Sequence, residues 1–154
     1  MTDFYDPETT EPHDTVAPLL KRVIVAMFTA VDETFKQDKE LALFEVTAAQ
    51  FGILANIHYG EAECAGELCK NMNYDRGAMS RMLDRLEDKG LIRRVRHAGE
   101  RRMIALEITP RGEKLLPKMK ACVVVTLNRF LRGIPEADVR RVEEVLRRML
   151  ENAS

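Results

Sequence analysis

The stretch RGAMSRMLDRLEDKGLIRR, residues 76–94, carries the strongest structural signal in the sequence. Within it, apolar residues recur at helical spacing and predict a helix over Tyr74–Lys89 with one apolar face, formed by Met79, Met82, Leu83 and Leu86. The other face carries Arg76, Gly77, Ser80, Arg81 and Asp84. Gly90 stands where a left-handed residue commonly ends a helix. The stretch therefore predicts an exposed, mainly basic helix face on an apolar support.

The residues after Gly90 predict a β-hairpin, because the period changes from about 3.6 to about 2. Ile92 and the basic residues up to Arg96 form one short strand, and in the second strand Ile104, Leu106 and Ile108 alternate with Met103, Ala105 and Glu107. The segment His97–Arg101 is typical of the hairpin loop, with Gly99 as its turn residue.

Three helices are predicted before residue 74. The first begins at about Thr15, and Lys36–Leu43 is expected to break it. Thr47-Ala-Ala-Gln50 has the form of a capping box and opens the second helix, which Gly60 ends. Ala62–Lys70 forms the third, with Asn71–Asn73 as the turn that follows. The apolar stripe of the first helix consists of Leu20, Val23, Ile24, Met27, Phe28, Val31 and Phe35.

Two long amphipathic helices are predicted after the hairpin. Thr109-Pro110 is a helix start, with Thr as N-cap, and Gly133 ends that helix; the last helix begins at Pro135. A helix-turn-helix followed by a two-stranded hairpin is the winged helix arrangement. We therefore predict a mainly α fold with a small β-hairpin wing (α+β), a winged helix-turn-helix flanked by N- and C-terminal helices.

The charge of the chain is unevenly distributed. The 154 residues have a net charge of −1, but residues 1–61 carry four Lys/Arg against eleven Asp/Glu, and residues 76–102 carry nine against four. Screening limits each charge to a reach of about 10 Å at 0.1 M salt. The local charge of a segment, and not the net charge of the chain, therefore determines which partners that segment attracts. The basic segment predicts an anionic partner.

Several function classes find no support in the sequence. No apolar run approaches the roughly 18 residues of a membrane span, and the acidic N-terminus lacks the order of a secretory signal. Three cysteines, an odd number, do not form a disulfide framework, so we expect a cytoplasmic protein. We expect no enzyme, because we find no paired-carboxylate, Ser-His or Cys-His arrangement and no glycine-rich phosphate loop. No cofactor or metal is expected, since His13, His58 and His97 lack ligand spacing.

Two motifs resemble the MarR family of transcriptional regulators. Residues 76–94 are similar to its recognition helix and exit into the wing, and Glu100-Arg-Arg-Met-Ile-Ala-Leu-Glu-Ile-Thr-Pro-Arg-Gly112 is similar to its wing signature. The chain has Glu100 where the family usually has Asp, and Ile108 for Leu. The resemblance covers roughly residues 15–152.

The resemblance implies a homodimer that binds a pseudo-palindromic site on double-stranded DNA. It divides the chain into a flexible acidic tail (1–14), an N-terminal dimerisation helix (15–46), the winged helix-turn-helix domain (47–110) and C-terminal dimerisation helices (111–154). The apolar stripes of residues 19–35 and 115–150 exceed what a small winged core can cover, which independently favours a partner.

The candidate DNA contacts lie on the basic helix and the wing. Arg76 and Arg81 can bond guanine or phosphate, Gly77 allows close backbone approach, Ser80 suits a phosphate and Ala78 a thymine methyl. Arg94 and Arg96 lie on the strand leading to the loop. By resemblance, Arg102 enters the minor groove, Glu100 holds its guanidinium and Arg101 touches phosphate. The alternatives are an ordinary solvated face, or a winged-helix protein-interaction module without DNA binding.

A small aromatic or phenolic effector is implied by the resemblance, bound between the dimer helices and the winged domain. The candidate lining residues are Met27, Phe28, Phe51, His58 and Met119, each of which can instead be simple core. A thiol-based redox switch is the other alternative. Cys64 and Cys69 are five residues apart, about 140° around a helix, and Cys122 lies in an apolar helix.

Overall fold

The computed structural model describes residues 4–96 and 104–153. Over these residues, seven α-helices and two β-strands follow a short 3₁₀ turn at Pro12–Asp14. They are α1 (Val16–Gln37), α2 (Lys39–Phe44), α3 (Ala48–His58), α4 (Ala65–Met72), α5 (Arg76–Asp88), β1 (Ile92–Arg96), β2 (Ile104–Ile108), α6 (Pro110–Phe130) and α7 (Glu136–Asn152). The predicted winged helix-turn-helix order is confirmed.

The expected break over Lys36–Leu43 is confirmed in part: α1 ends at Gln37, but the only residue that interrupts the helical path is Asp38. Its carboxylate accepts hydrogen bonds from the backbone N–H groups of Glu40 and Leu41, both at 3.0 Å, and so caps a new helix, α2. Leu41 of α2 is fully buried. A polar segment thus forms a helix because one side chain satisfies its first amides and one leucine reaches the core.

The capping box before α3 is confirmed. The backbone N–H of Gln50 donates to Thr47 Oγ1 at 3.2 Å, and the backbone N–H of Thr47 donates to the side-chain Oε1 of Gln50 at 3.3 Å. The helix α4 begins later than the predicted Ala62–Lys70, because the residues before it pair with β2. The Leu106 amide donates to the Glu63 carbonyl at 2.8 Å, and Cys64 forms a β-bridge with Ala105.

The two strands form an antiparallel hairpin in which Ile92 pairs with Ile108 and Arg96 with Ile104. Burial along β2 does not follow the predicted alternation: Ile104 is exposed, whereas Ala105 and Leu106 are both buried. The bridge to Cys64 adds a third short extended segment beside β2 and covers Ala105. The predicted loop residues His97–Arg101 lie outside the described residues.

One hydrophobic core joins the helices and the hairpin. Its fully buried side chains include Phe35, Leu41, Ile53, Leu54, Leu68, Met79, Leu83, Leu86, Leu91, Ile92, Leu115 and Met119. A hydrogen bond of 2.8 Å between the hydroxyls of Thr34 and Thr126 links α1 to α6, and Thr126 has no exposed surface. The core therefore fixes α6 against both α1 and the winged region.

The start of α6 is joined to the residues between α5 and β1. Thr109 caps α6 by accepting from the Gly112 amide, its amide donates to the Leu91 carbonyl at 3.0 Å, and its hydroxyl donates to the Gly90 carbonyl at 2.6 Å. Gly112 lies against the same backbone: a Cβ there would stand 2.3 Å from the Leu91 carbonyl oxygen and 2.5 Å from Ile108 Cγ2. Only glycine allows this approach.

The helix α7 has no buried residue, although one side of it is apolar. Val142 and Val145 are 57% and 50% exposed, and Val23, Ile24 and Phe28 on α1 are also about half exposed. Apolar surface of this extent is typical of an interface. None of the described helices is both long and apolar enough to cross a membrane.

We expect Gly112→Ala to lower the free energy of unfolding by about 1–3 kcal/mol or more, because the added methyl group overlaps backbone atoms that cannot move independently. Chemical denaturation at fixed protein concentration measures this. Gly66→Ala is the matched control, since its Cβ would meet only Cys64 Sγ, at 3.9 Å. Equal stability of the two variants would contradict the close approach.

Candidate DNA-binding interface

The helices α4 and α5 form a helix-turn-helix whose turn is set by three residues. Asn73 has a left-handed backbone, with φ 53°, and ends α4. Asp75 then caps α5 by accepting a hydrogen bond of 2.8 Å from the Ala78 amide. Leu68 of α4 is fully buried with Met79 and Leu83 of α5. This packing leaves the opposite side of α5 open to solvent.

The first two turns of α5 present the predicted contact residues. Arg76, Gly77, Ser80 and Arg81 are exposed, and Ala78 is half-buried. Among the described residues, neither Arg76 nor Arg81 has an ion-pair partner. Their guanidinium groups therefore retain donors and charge for an external ligand.

Arg94 differs from these two arginines because it is already paired. Its guanidinium donates to Asp84 Oδ1 at 2.7 Å and to Glu87 Oε2, and its amide donates to Glu87 Oε1 at 3.2 Å. Burial acts to lower the pKa of Arg94, but the hydrogen bonds and charges of Asp84 and Glu87 outweigh it and raise the pKa. These contacts fasten β1 to α5, so Arg94 sets the angle between the hairpin and the helix.

The structure describes two further arginines of the hairpin, one paired and one unpaired. Arg93 pairs across the hairpin with Glu107 at 2.6 Å. Arg96 is exposed at the end of β1 and has no ion-pair partner within the described chain. The predicted contacts Glu100, Arg101 and Arg102 lie outside the described residues.

A cavity of about 340 Å³ lies between α4, α5 and the hairpin. It brings three of the predicted contact residues, Arg76, Ser80 and Arg94, around one opening. Its other lining residues are Ala65, Gly66, Cys69, Leu83, Ile104 and Leu106. On an otherwise apolar wall, the unpaired Arg76 and the Ser80 hydroxyl face this opening, whereas the charge of Arg94 is already balanced by Asp84 and Glu87.

The predicted effector residues do not meet at one place. Phe51 and His58 line a cavity of about 170 Å³ between α3 and α6, together with Ala55, Tyr59, Glu113, Leu116, Pro117 and Lys120. His58 Nδ1 lies 3.4 Å from Glu113 Oε2. Met119 is fully buried in the core, and Met27 and Phe28 lie on α1 and do not line this cavity.

None of the three cysteines forms a disulfide bond in the described part of the chain. Cys64 lies at the start of α4, Cys69 lines the cavity beside α5, and Cys122 lies on α6. Burial, and then the charge of Asp38, raises the pKa of the Cys122 thiol, which disfavours the reactive thiolate. No group of three or more potential metal ligands occurs in the described part of the chain.

Sequence reasoning missed two contacts that position the elements of the candidate interface. The first is the pairing of Arg94 with Asp84 and Glu87; these acids are three residues apart on one helix, which was the available signal. The second is Lys89, whose ammonium donates to the Glu45 carbonyl at 2.8 Å and to Gln50 Oε1 at 2.9 Å. Desolvation lowers the pKa of Lys89. No sequence signal connects Lys89 with residues about forty positions earlier.

Comparisons with known proteins agree with this geometry. The profile of the MarR family matches residues 46–104. The chain is 30% identical to the Multiple antibiotic resistance protein MarR of Escherichia coli K12 over 111 residues, 71% of this chain and 77% of that protein. The crystal structure of apo MarR from E. coli superposes with a TM-score of 0.73 at 25% identity, covering 88% of this chain and 97% of that one.

A further structure, of BpsR from Bordetella bronchiseptica, has a TM-score of 0.75 at 21% identity, covering 91% of this chain and 96% of that one. In BpsR, DNA binding is regulated by 6-hydroxynicotinic acid. At this identity the likeness shows the fold alone. The helix-turn-helix, the hairpin and the sequence relationship together lead to one conclusion: the chain belongs to the MarR family of transcriptional regulators.

Proposed function

We propose that the chain is a dimeric repressor that binds a pseudo-palindromic DNA site and leaves it when a small aromatic or phenolic acid binds. One observation carries the DNA-binding part. Arg76 and Arg81 are exposed at the start of the second helix of a helix-turn-helix, and neither has an ion-pair partner in the described chain. A protein-interaction module has no need for unpaired guanidinium groups there.

The charge along α5 favours entry of its N-terminal end into the major groove. Arg76 and Arg81 lie in the first two turns, whereas the acidic Asp84 and Asp88 lie toward the other end. Phosphates are attracted to the first part, whereas the second part carries mixed charge, since it also holds Arg85 and its Asp84 is paired with Arg94. Recognition helices of this kind commonly contact base edges with their N-terminal residues.

The hairpin supplies the second contact in this proposal. Arg94 anchors β1 to Asp84 and Glu87 and does not itself need to reach DNA. Arg96 stands at the end of β1, next to the segment that holds Glu100, Arg101 and Arg102. The insertion of Arg102 into the minor groove remains a prediction from the family resemblance.

A dimer explains the exposed apolar surface of α1 and α7. Val23, Ile24 and Phe28 on α1, and Val142 and Val145 on α7, are each about half exposed. Burying such surface on a second copy is favourable by about 25 cal/mol per Å². A two-fold axis also presents two copies of α5 to half-sites about 34 Å apart, one turn of the duplex.

In this proposal, the effector binds in the cavity between α3 and α6. Phe51 and Tyr59 supply aromatic surface, and His58 and Lys120 supply donors for a carboxylate. The cavity wall includes Glu113, one residue after Gly112, so it adjoins the junction between α6 and the hairpin. A ligand that shifts α6 there also shifts the DNA-facing elements.

For DNA binding, we expect Arg81→Ala to weaken binding to the preferred duplex by about 10- to 100-fold if Arg81 contacts a guanine, and Arg76→Ala to weaken it by a similar factor if Arg76 does. Fluorescence anisotropy across a salt series measures both the affinity and the number of phosphate contacts, since each lost contact makes the slope shallower by about 1.

The control for these variants is Arg140→Ala, which removes the same charge from α7, where Arg140 already pairs with Glu136 and Glu143. It should leave DNA affinity within about two-fold on the scale of remote surface changes. If Arg76→Ala and Arg81→Ala behave like this control, the helix is an ordinary solvated face and DNA binding through it is rejected.

For the dimer, Val145→Lys should shift the sedimentation profile toward the monomer, because it places a charge in the buried interface. Glu144→Lys is the matched control: it introduces the same side chain one position away, on the polar side of α7. If both variants sediment as the wild-type protein does, α7 does not form the interface.

For the effector, saturating 6-hydroxynicotinic acid should raise the thermal midpoint, since a ligand at 100 times its Kd adds about 2.7 kcal/mol of stability. Ala55→Phe fills the cavity between α3 and α6 and should abolish the shift. Ala137→Phe, on the polar side of α7, should keep it. A shift that survives in Ala55→Phe would place the ligand elsewhere.

A further inference from the structure

The cavity between α3 and α6 is lined by two side chains of opposite charge that α6 holds apart. Glu113 and Lys120 both line it and lie seven residues apart on this helix. Seven residues make about two turns, so the two positions share one face and stand about 10.5 Å apart along the helix axis. Within the described chain, Lys120 has no ion-pair partner. The cavity therefore offers a cation at one end and a hydrogen-bond acceptor at the other.

The wall between these two charges is apolar. Leu116 and Pro117 lie between them on α6, and Phe51 and Ala55 line the cavity from α3. The cavity has a volume of about 170 Å³. A cavity of about 150 Å³ is large enough to hold benzene, so a single substituted ring fits between the two ends.

Glu113 is held at its end of the cavity by His58. The distance from His58 Nδ1 to Glu113 Oε2 is 3.4 Å, and no residue of the described chain donates a hydrogen bond to the other oxygen, Oε1. A carboxylate accepts several hydrogen bonds, so Glu113 can take one more from a ligand. Its charge repels a second carboxylate. The acid group of an aromatic acid is therefore directed to Lys120, and the opposite side of its ring faces Glu113.

We propose that Glu113 determines which effector the site accepts: an aromatic acid with a hydrogen-bond donor opposite its carboxylate, bound with the carboxylate at Lys120 and the donor on Glu113. This inference rests on the proposed effector site and narrows its ligand class. A donor beside the carboxylate lies at the Lys120 end and does not reach Glu113, two turns away. An apolar group opposite the carboxylate leaves the charge of Glu113 against hydrocarbon, which is unfavourable.

The test compares three acids of similar size by isothermal titration calorimetry on the full chain. The donor lies opposite the carboxylate in para-hydroxybenzoate and beside it in ortho-hydroxybenzoate, and para-methylbenzoate has a methyl group in place of the para donor. We expect the wild-type protein to bind para-hydroxybenzoate about tenfold or more tightly than either of the other two. A hydrogen bond to a charged acceptor has an effect of this size.

Substitutions at the two ends should have different effects. Glu113→Leu should weaken binding of para-hydroxybenzoate by about tenfold and leave para-methylbenzoate bound at least as well, so the preference disappears. Glu113→Gln keeps the shape of the side chain without its charge and should reduce the preference, since hydrogen bonds to charged groups are about twice as strong. Lys120→Met should weaken all three acids alike and keep the preference, because it removes only the partner of the carboxylate.

Lys114→Leu is the matched control for Glu113→Leu. It introduces the same side chain at the next position of α6, which does not line the cavity. It should leave the three affinities within about two-fold of the wild type. The thermal midpoints of the variants without ligand show whether each of them is folded.

The outcomes separate the role of Glu113 from the effector site on which it rests. Equal affinity of the wild type for para-hydroxybenzoate and para-methylbenzoate would overturn the inference, and so would a preference that survives in Glu113→Leu. The effector site itself stands in both cases if Ala55→Phe abolishes binding of these acids. If none of the three acids binds to the wild-type protein, the proposed effector is wrong and the role of Glu113 is overturned with it.

Discussion

The backbone of Gly90 and Leu91 is where α5, β1 and the start of α6 meet, and the orientation of the candidate DNA-binding surface depends on that contact. Thr109 bonds to both carbonyls, and Gly112 approaches the Leu91 carbonyl more closely than any other residue could. Arg94 adds a second connection between β1 and α5 through its ion pairs with Asp84 and Glu87. The helix α5, the hairpin and α6 are therefore held as one unit, which is the connection that the proposed effector response requires.

The arginines around this unit divide into two groups with different physical roles. Arg93 and Arg94 are neutralised by Glu107, Asp84 and Glu87, and they stabilise the geometry of the hairpin. Arg76, Arg81 and Arg96 have no such partners in the described chain, and their charge is directed to solvent. A count of basic residues does not separate the groups, because the partners of the first group are distant in sequence or lie on another element.

The parts of the fold that sequence predicts well are those with local hydrogen bonds. The Thr47 and Gln50 box, the Thr109 cap and the turn at Gly90 each depend on residues within a few positions, so their pattern is visible along the chain. The failures involve distant partners. The β-bridge of Cys64 with Ala105 and the hydrogen bond of Leu106 to Glu63 delay the start of α4. For Met119, the packing of α6 on the winged region decides in favour of the core, one of the two roles predicted for it. Within the candidate site, exposure of Arg76 and Arg81 follows from helical periodicity, whereas the pairing of Arg94 depends on how β1 crosses α5.

The helix α7 ends the chain with 17 residues, none of them buried within its own subunit. Most of the stability of an amphipathic helix comes from packing of its apolar face against other elements. In the proposed assembly, the order of α7 then comes from association, which depends on protein concentration. At low protein concentration, the subunits would be monomers with a less ordered α7 and only one recognition helix each. The fraction of DNA sites occupied would then rise more steeply than in proportion to the protein concentration.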